Sequence, residues 1–585
     1  MLSTRIDYVC VCILLLLSII YFADLLTNDY VVAHGDLKYA LTISEHFSHH
    51  LDSLATHASK LPFLLILFPL QMVLGDNLAE KAFIVFILFL SVVFVYFANK
   101  YFISHINNTT SDRWLSLSSL AGTFIFLYNP WTINKIHHHY WLVLSLAASY
   151  LIIASIDKLL LSKRFYEPKQ IIVLAMAGAA MATQPQSPLI YFVPMIALYF
   201  LSRLAILRTR VFSVFQLRKA RLALWYSCQV TLVIACNLFW LMPSLGYVQS
   251  GSAEESAESG EYPMMNFTTN TDRTVTLPSA SSHVSYGRVE ENVDQLSRRA
   301  TLLNVLQGTS AWVWGGDATP DQSIVINGAN VWEVIAYFPL IISILFFLMA
   351  PRKSIRNVFS ICFALLLALS IFLSTGSYYS SVYKEAFLNL PLGEAIRDPY
   401  KFSGLYFLAT SFFASALISI VSNARKSVKV TLLSSIFAIT LLWGWVGLTG
   451  NLNSHLGESL LPYPADLERT INYLYSQDND RGSILWYPAG ADVSRLQYSS
   501  IPELSTSSFQ SLELSEYERN YIDHLTNYRD EMLITLLEYL GVHYVIVRDD
   551  LKGGPSESPP ELTEKIEGAK QLLREKQVYS FGRFT

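Results

Sequence analysis

The chain has 585 residues, 52% of them hydrophobic and only 15% charged, and its mean hydropathy is +0.35. Soluble domains carry roughly 25% charge, so a soluble globular protein is excluded and lipid is the main solvent. A formal net charge of −4 gives no electrostatic basis for nucleic-acid binding. The five cysteines, Cys10, Cys12, Cys228, Cys236 and Cys362, all fall in apolar segments. Their spacing fits no zinc or redox motif, and they read as small buried apolar residues.

In chain order, the first apolar run is Val9–Phe22. No small-residue cleavage site follows it, so it reads as a retained signal anchor with Arg5 on the cytoplasmic side. Further apolar runs predict spans near 82–98, 114–129, 140–157, 170–184, 188–202, 222–245, 332–350, 357–375, 404–421 and 429–449. With the first run, near 8–26, this makes eleven. The run Leu61–Gly75 is about fifteen residues long, short of the ~20 that a span needs.

Basic residues decide how that run is read, because cytoplasmic loops are enriched in Lys and Arg. If it does not cross, 19 basic residues, among them Arg208, Arg210, Arg218, Arg352 and Arg425, lie inside. Seven (Lys38, Lys60, Lys81, Lys135, Lys384, Arg397 and Lys401) lie in the shorter external loops. If it crosses, 18 of the 19 move outside. The run is therefore expected to be re-entrant or surface-lying. The fold class expected is an α-helical polytopic membrane protein over 1–450, in the cytoplasmic membrane, with the N-terminus cytoplasmic. External segments at 27–81, 249–332 and 451–585 follow, the last a small extracytoplasmic α/β domain.

The first external loop places Gly35-Asp36 just after the first span. Leu37, Ala40, Leu41, Ile43, Phe47, Leu51 and Leu54 then recur at helical spacing among polar residues, which predicts an amphipathic surface helix. Tyr128-Asn-Pro-Trp-Thr-Ile-Asn-Lys-Ile-His-His-His-Tyr140 sits at an external helix junction. Lys135 and His137–His139 suit a phosphate head group or a metal there. The plainer reading is a set of interfacial anchors beside Trp131 and Tyr140, since neighbouring residues on a helix point ~100° apart. Thr183-Gln-Pro-Gln-Ser-Pro188 breaks an apolar stretch, as a tight turn or a cavity lining.

Gly393-Glu-Ala-Ile-Arg-Asp-Pro-Tyr-Lys-Phe402 is the most charged short stretch beside a span. Arg397 and Lys401 are spaced i, i+4, with Asp398 placed to orient them, a pattern suited to a lipid-linked phosphate. The competing reading is an interfacial charge cluster with Tyr400 as a belt residue. In the 249–332 segment, Leu302–Gly308 and the Trp312–Asp317 stretch are apolar enough to dock. Trp312 and Trp314 are candidates for stacking on a sugar ring or for interfacial anchoring. Beyond 451, Ser483–Pro488 and Val542–Arg548 read as buried strands of the α/β domain.

The order of span, Gly35-Asp36, surface helix, half-buried apolar helix and next span resembles the GT-C superfamily of integral membrane glycosyltransferases. The Arg397-Asp-Pro-Tyr-Lys-Phe402 string and the C-terminal ILWYP and LGVHYVIVRDD strings resemble its arabinofuranosyltransferase group and archaeal relatives. The resemblance implies transfer of a sugar from a polyprenyl-phosphate-linked donor to an acceptor glycan, lipid or protein on the outer face. It implies Asp36 as the catalytic acidic residue. Arg397, Lys401, Lys135, His138, His139 and Asp398 are then candidates for the donor phosphate. The family often carries an acidic pair in the first loop, whereas this chain shows one acid. That leaves open whether a divalent cation, Mg or Mn, takes part. Two rivals remain. A non-catalytic membrane scaffold predicts that Asp36 tolerates substitution, and a transporter of lipid-linked sugars predicts charges near the bilayer midplane.

Overall fold

The computed structural model describes residues 5–27, 30–32, 61–107, 110–161, 168–184, 187–207, 297, 299–310, 325–326, 329–379, 383, 398–445, 460–462, 482–487, 509–511 and 542–547. Twelve helices carry the argument. They are α1 (Arg5–Tyr21), α2 (Leu61–Leu74), α3 (Asp76–Ile106), α4 (Asp112–Tyr128), α5 (Pro130–His138) and α6 (Tyr140–Leu161). Then come α7 (Pro168–Met181), α8 (Val193–Leu207), α9 (Phe338–Met349), α10 (Val358–Ser374), α11 (Ser403–Ile420) and α12 (Lys426–Trp443). Among the described residues, four helical stretches are long and apolar enough to cross a membrane: Lys81–Ile106, Tyr140–Leu159, Pro188–Ile206 and Pro399–Ile420. Shorter apolar helices accompany them at Lys169–Met181, Phe338–Met349, Val358–Ser374 and Ser427–Trp443.

α11 is the central helix, buried along its whole length and packed by α4, α9 and α10. Lipid supplies no hydrophobic drive between helices, so close backbone approach and polar contacts hold them. Both operate at the α4–α11 crossing. A Cβ at Gly122 would collide with Ser415 Oγ and the Ser411 carbonyl. Ser411 Oγ donates to Gly122 O (2.7 Å), Asn99 Nδ2 donates to Ser411 Oγ (3.0 Å), and Tyr150 Oη donates to Asn99 Oδ1 (2.7 Å). The outer faces keep large apolar side chains exposed, such as Ile344 and Leu348 on α9 and Met176 on α7, as lipid-facing surface does.

Side-chain pairs sort the helix ends into two groups. At one end Asp7 of α1 accepts from Lys100 Nζ (2.5 Å), Tyr96 Oη (2.8 Å) and Ser116 Oγ (2.8 Å). Beside it, Asp157 of α6 accepts from Tyr101 Oη and Arg203 Nη1 (both 2.7 Å) and from Tyr199 Oη. Asn357, which caps α10, donates to His105 O (3.0 Å) at the same end. The opposite end gathers the end of α1, the end of α12 and the junction after α4: Tyr21 and Tyr128 pack ring to ring, and a Cβ at Gly444, which caps α12, would strike Tyr128. Ser403 at the start of α11 bonds Ser374 at the end of α10 (3.1 Å) there.

α2, 14 residues with Pro69 inside, is only ~21 Å long, less than the ~30 Å hydrocarbon core. Its Phe63 packs on Trp141 at the start of α6. Beyond α1, strand β1 (Tyr30–Val32) pairs antiparallel with β2 (Leu460–Pro462), joining the first loop to the chain after α12. Strand β3 (Gly482–Tyr487) runs parallel between β4 (Phe509–Ser511) and β5 (Val542–Val547). Parallel strands need crossover connections; the connecting residues lie outside the described set, as does the stretch 222–245.

Candidate functional site

The junction after α4 is built by local capping. Asn129 accepts from Thr132 N (2.8 Å) while its Nδ2 donates to Phe126 O (2.5 Å), and Pro130 takes the first helical position, where no N–H is needed. α5 is thereby started at a fixed angle to α4. Trp131 and Lys135, four residues apart, share one face of α5.

From 263 residues further along the chain, Asp398 meets Lys135 at 3.5 Å (Nζ to Oδ2). Asp398 caps a 3₁₀ turn over Pro399–Phe402: its Oδ1 accepts from Tyr400 N (3.1 Å), and its carbonyl accepts from Lys401 N (3.2 Å). The pair is buried, Lys135 being 7% exposed and Asp398 8%. Burial alone favours a protonated carboxyl. Lys135, Lys401, the Tyr400 N–H and His139 outweigh it and hold Asp398 below the usual carboxylate range. Tyr383 feels the same carboxylate, and burial together with that charge pushes its phenol up.

Tyr400 is buried, not a belt residue at the interface. Lys135 Nζ sits 5.3 Å from its ring centroid, and its hydroxyl donates to Gly308 O (3.1 Å). Tyr406 on α11 likewise donates to Leu306 O (3.2 Å). The short helix Leu302–Gln307, capped by Thr301 and ended by left-handed Gly308, is thus fastened over the site. Lys135 and Lys401 thus both act on the Asp398 carboxylate, and cations gathered at a buried turn suit an anionic ligand.

Of the residues singled out from the sequence, Lys135, His139, Asp398 and Lys401 come together here. His138 is the last residue of α5, its side chain outside the described set. Asp36, Arg397, Trp312 and Trp314 also lie outside the described residues. Among the described residues no group of three or more His, Cys, Asp or Glu side chains is placed to hold a metal ion. Sequence reasoning passed over Tyr191 and Tyr383. Each looks like one more tyrosine near a membrane surface, and only packing brings them to Asp398.

No known family model and no curated protein matches the sequence. Among solved structures, the cryo-EM structure of the arabinofuranosyltransferase AftD from Mycobacteria matches with a TM-score of 0.53 and 12% identity, over 97% of this chain and 37% of that one. A mutant form of the same protein matches with a TM-score of 0.51, also at 12% identity, over 97% of this chain and 38% of that one. This chain therefore spans less than two fifths of the length of the protein it matches. At that identity the likeness concerns the fold, and in its fold the chain is a helical membrane protein similar to arabinofuranosyltransferase AftD.

Proposed function

We propose that the chain is a GT-C type membrane glycosyltransferase that moves a sugar from a polyprenyl-phosphate-linked donor to an acceptor glycan, lipid or protein at the outer face. The observation that carries the reading is the meeting of Lys135 with Asp398 and Lys401 in a buried site, on a fold shared with an arabinofuranosyltransferase. A departing phosphate needs fixed positive charge where water is scarce. Lys135, Lys401 and Arg397 supply it, assisted by His138 and His139, and Asp398 fixes the ammonium groups in place. Trp312 and Trp314 stack on sugar rings.

The reaction follows from these roles. The acceptor hydroxyl attacks the anomeric carbon, the bond from that carbon to the phosphate oxygen breaks, and Asp36 takes the hydroxyl proton. Configuration inverts, and the polyprenyl phosphate leaves as an anion. Enrichment of basic residues at the Asp7 end supports a cytoplasmic N-terminus, with the Lys135 site and the segment beyond 451 outside.

The test is transfer of labelled sugar from total polyprenyl-linked donors in membranes carrying wild type, Asp36→Asn or Lys135→Met. Wild type should transfer label, and Asp36→Asn should lose roughly a hundredfold or more while still inserting. Equal transfer by wild type and Asp36→Asn removes that residue from the mechanism. No transfer by wild type, with the same donors consumed by a known enzyme, sinks the reading.

A further inference from the structure

The helix after the Thr183–Pro188 break does not begin as an ordinary α-helix. Residues Pro188–Phe192 form a π turn, a rare geometry that gathers at functional sites. The turn packs against the 3₁₀ turn that carries Asp398, Tyr400 and Lys401. It carries Tyr191, fully buried, whose hydroxyl lies within reach of the Asp398 charge and has no hydrogen-bond partner among the described residues.

A second donor stands beside it. The Trp131 ring meets the Tyr191 ring edge-on at 6.2 Å. Its Nε1, also fully buried, lacks a partner among the described residues. The indole edge bearing that nitrogen lies over Gly404, where a Cβ would come within 2.9 Å of Cε2, so the first turn of α11 leaves room for the ring only because residue 404 has no side chain. Trp131 shares a face of α5 with Lys135, and Tyr191 lies near Asp398, the partner of that lysine. A buried polar group without a partner costs ~1–3 kcal/mol. Two such donors around the buried Lys135–Asp398 pair suit an anionic ligand.

We propose that Tyr191 and Trp131 are the neutral half of a phosphate subsite, donating Oη–H and Nε1–H to phosphoryl oxygens whose charge Lys135 and Lys401 balance. The inference rests on the glycosyltransferase reading, and it deepens it by assigning hydrogen-bond donors to the leaving group. A phosphoryl group offers more acceptor positions than two lysines fill. Neutral donors add hydrogen bonds without adding further buried charge.

Full-length protein in detergent serves the test, with farnesyl monophosphate as the leaving-group probe and farnesol and inorganic phosphate as controls. Wild type should bind farnesyl monophosphate, and Lys135→Met should abolish that binding. Tyr191→Phe should weaken it about tenfold, the loss of one hydrogen bond to a charged group. The melting temperature of the unliganded Tyr191→Phe protein should stay unchanged or rise, because the deleted hydroxyl satisfied nothing. Trp131→Phe should weaken binding as well, and gives an independent reading of the second donor.

If wild type binds and Tyr191→Phe binds equally well, this inference falls while the glycosyltransferase reading stands. A fall of several degrees in the unliganded Tyr191→Phe protein also overturns it, since the hydroxyl then has a structural partner. If wild type binds no farnesyl monophosphate, the donor-site reading itself fails. Binding of inorganic phosphate as tight as that of farnesyl monophosphate would assign the subsite to free phosphate and not to a lipid head group.

Discussion

Asp398 is the electrostatic centre of the site, because Lys135, Lys401 and His139 all act on it. Removing one partner of a buried ion pair costs ~3–5 kcal/mol. Asp398→Asn should therefore destabilise the protein by about that much, because it takes the carboxylate partner from the buried Lys135. Thermal unfolding in detergent checks this. Lys135→Met should cost less, because Lys401 and the Tyr400 N–H still hold the carboxylate. The sign of the pH dependence follows from the lowered pKa of Asp398. The stabilisation from Asp398 is fully present above the unfolded value of ~3.9 and is lost as pH falls through the lower folded value. A melting temperature that moves through this group between pH 5 and pH 8 would contradict the assignment. The sequence made Lys135 and the Arg397–Phe402 string visible, since charge beside an apolar span is conspicuous. It did not show that they meet, because nothing in local spacing encodes a contact across 263 residues. Tyr191 was invisible for another reason: within a span, one tyrosine among Leu, Ile and Phe has no pattern to stand out from.

Elements in this fold are placed by short interruptions in apolar sequence. Asn129-Pro130 ends α4 and starts α5, the 182–187 break precedes the π turn, and Asp398-Pro399 sets the 3₁₀ turn ahead of α11. Each interruption delivers one or two polar side chains to the same end of the bundle. That arrangement was partly legible, since Pro and Asn mark helix boundaries by known chemistry. The π turn was not, because its extra residue per turn leaves no signature in hydropathy. The rigid partner of these interruptions is the α4–α11 crossing. Gly122→Val should be strongly destabilising, by at least the ~1–3 kcal/mol of an overpacked core, because the side chain would enter Ser415 and the α11 backbone. It should also reduce substrate turnover, since α4 leads into α5 and α11 follows from the 3₁₀ turn. Retention of wild-type stability would mean that the helices separate at this point without penalty.

At the scale of the molecule, the two ends of the bundle differ in charge and in what they do. The Asp7 and Asp157 clusters are rich in partners: from described residues alone, each carboxylate accepts three hydrogen bonds, one of them from a cation. They read as latches between helices. The Lys135 end keeps donors unspent. It is also the end at which β1, four residues before Asp36, is held by β2 from beyond α12. Deleting the chain from 451 onward removes that partner strand. Transfer activity should then fall even though residues 1–450 keep their spans, and activity equal to that of the full chain would show that the strand pair is dispensable.

Orientation decides which pool of donors the Lys135 end can reach, and it has a direct test. Leu302 and Arg425 are both exposed and lie at opposite ends of the bundle. In a variant lacking the five native cysteines, a cysteine at Leu302 should react with a membrane-impermeant maleimide on intact cells. A cysteine at Arg425 should react only after the membrane is opened. The charge distribution demands this order, because 19 basic residues fall in the loops on the Arg425 side against seven in the shorter loops on the other. The reverse order would put the two lysines in the cytoplasm. An externally facing lipid-linked donor would then be out of reach, and the site's affinity for phosphate would have to serve a cytoplasmic ligand instead.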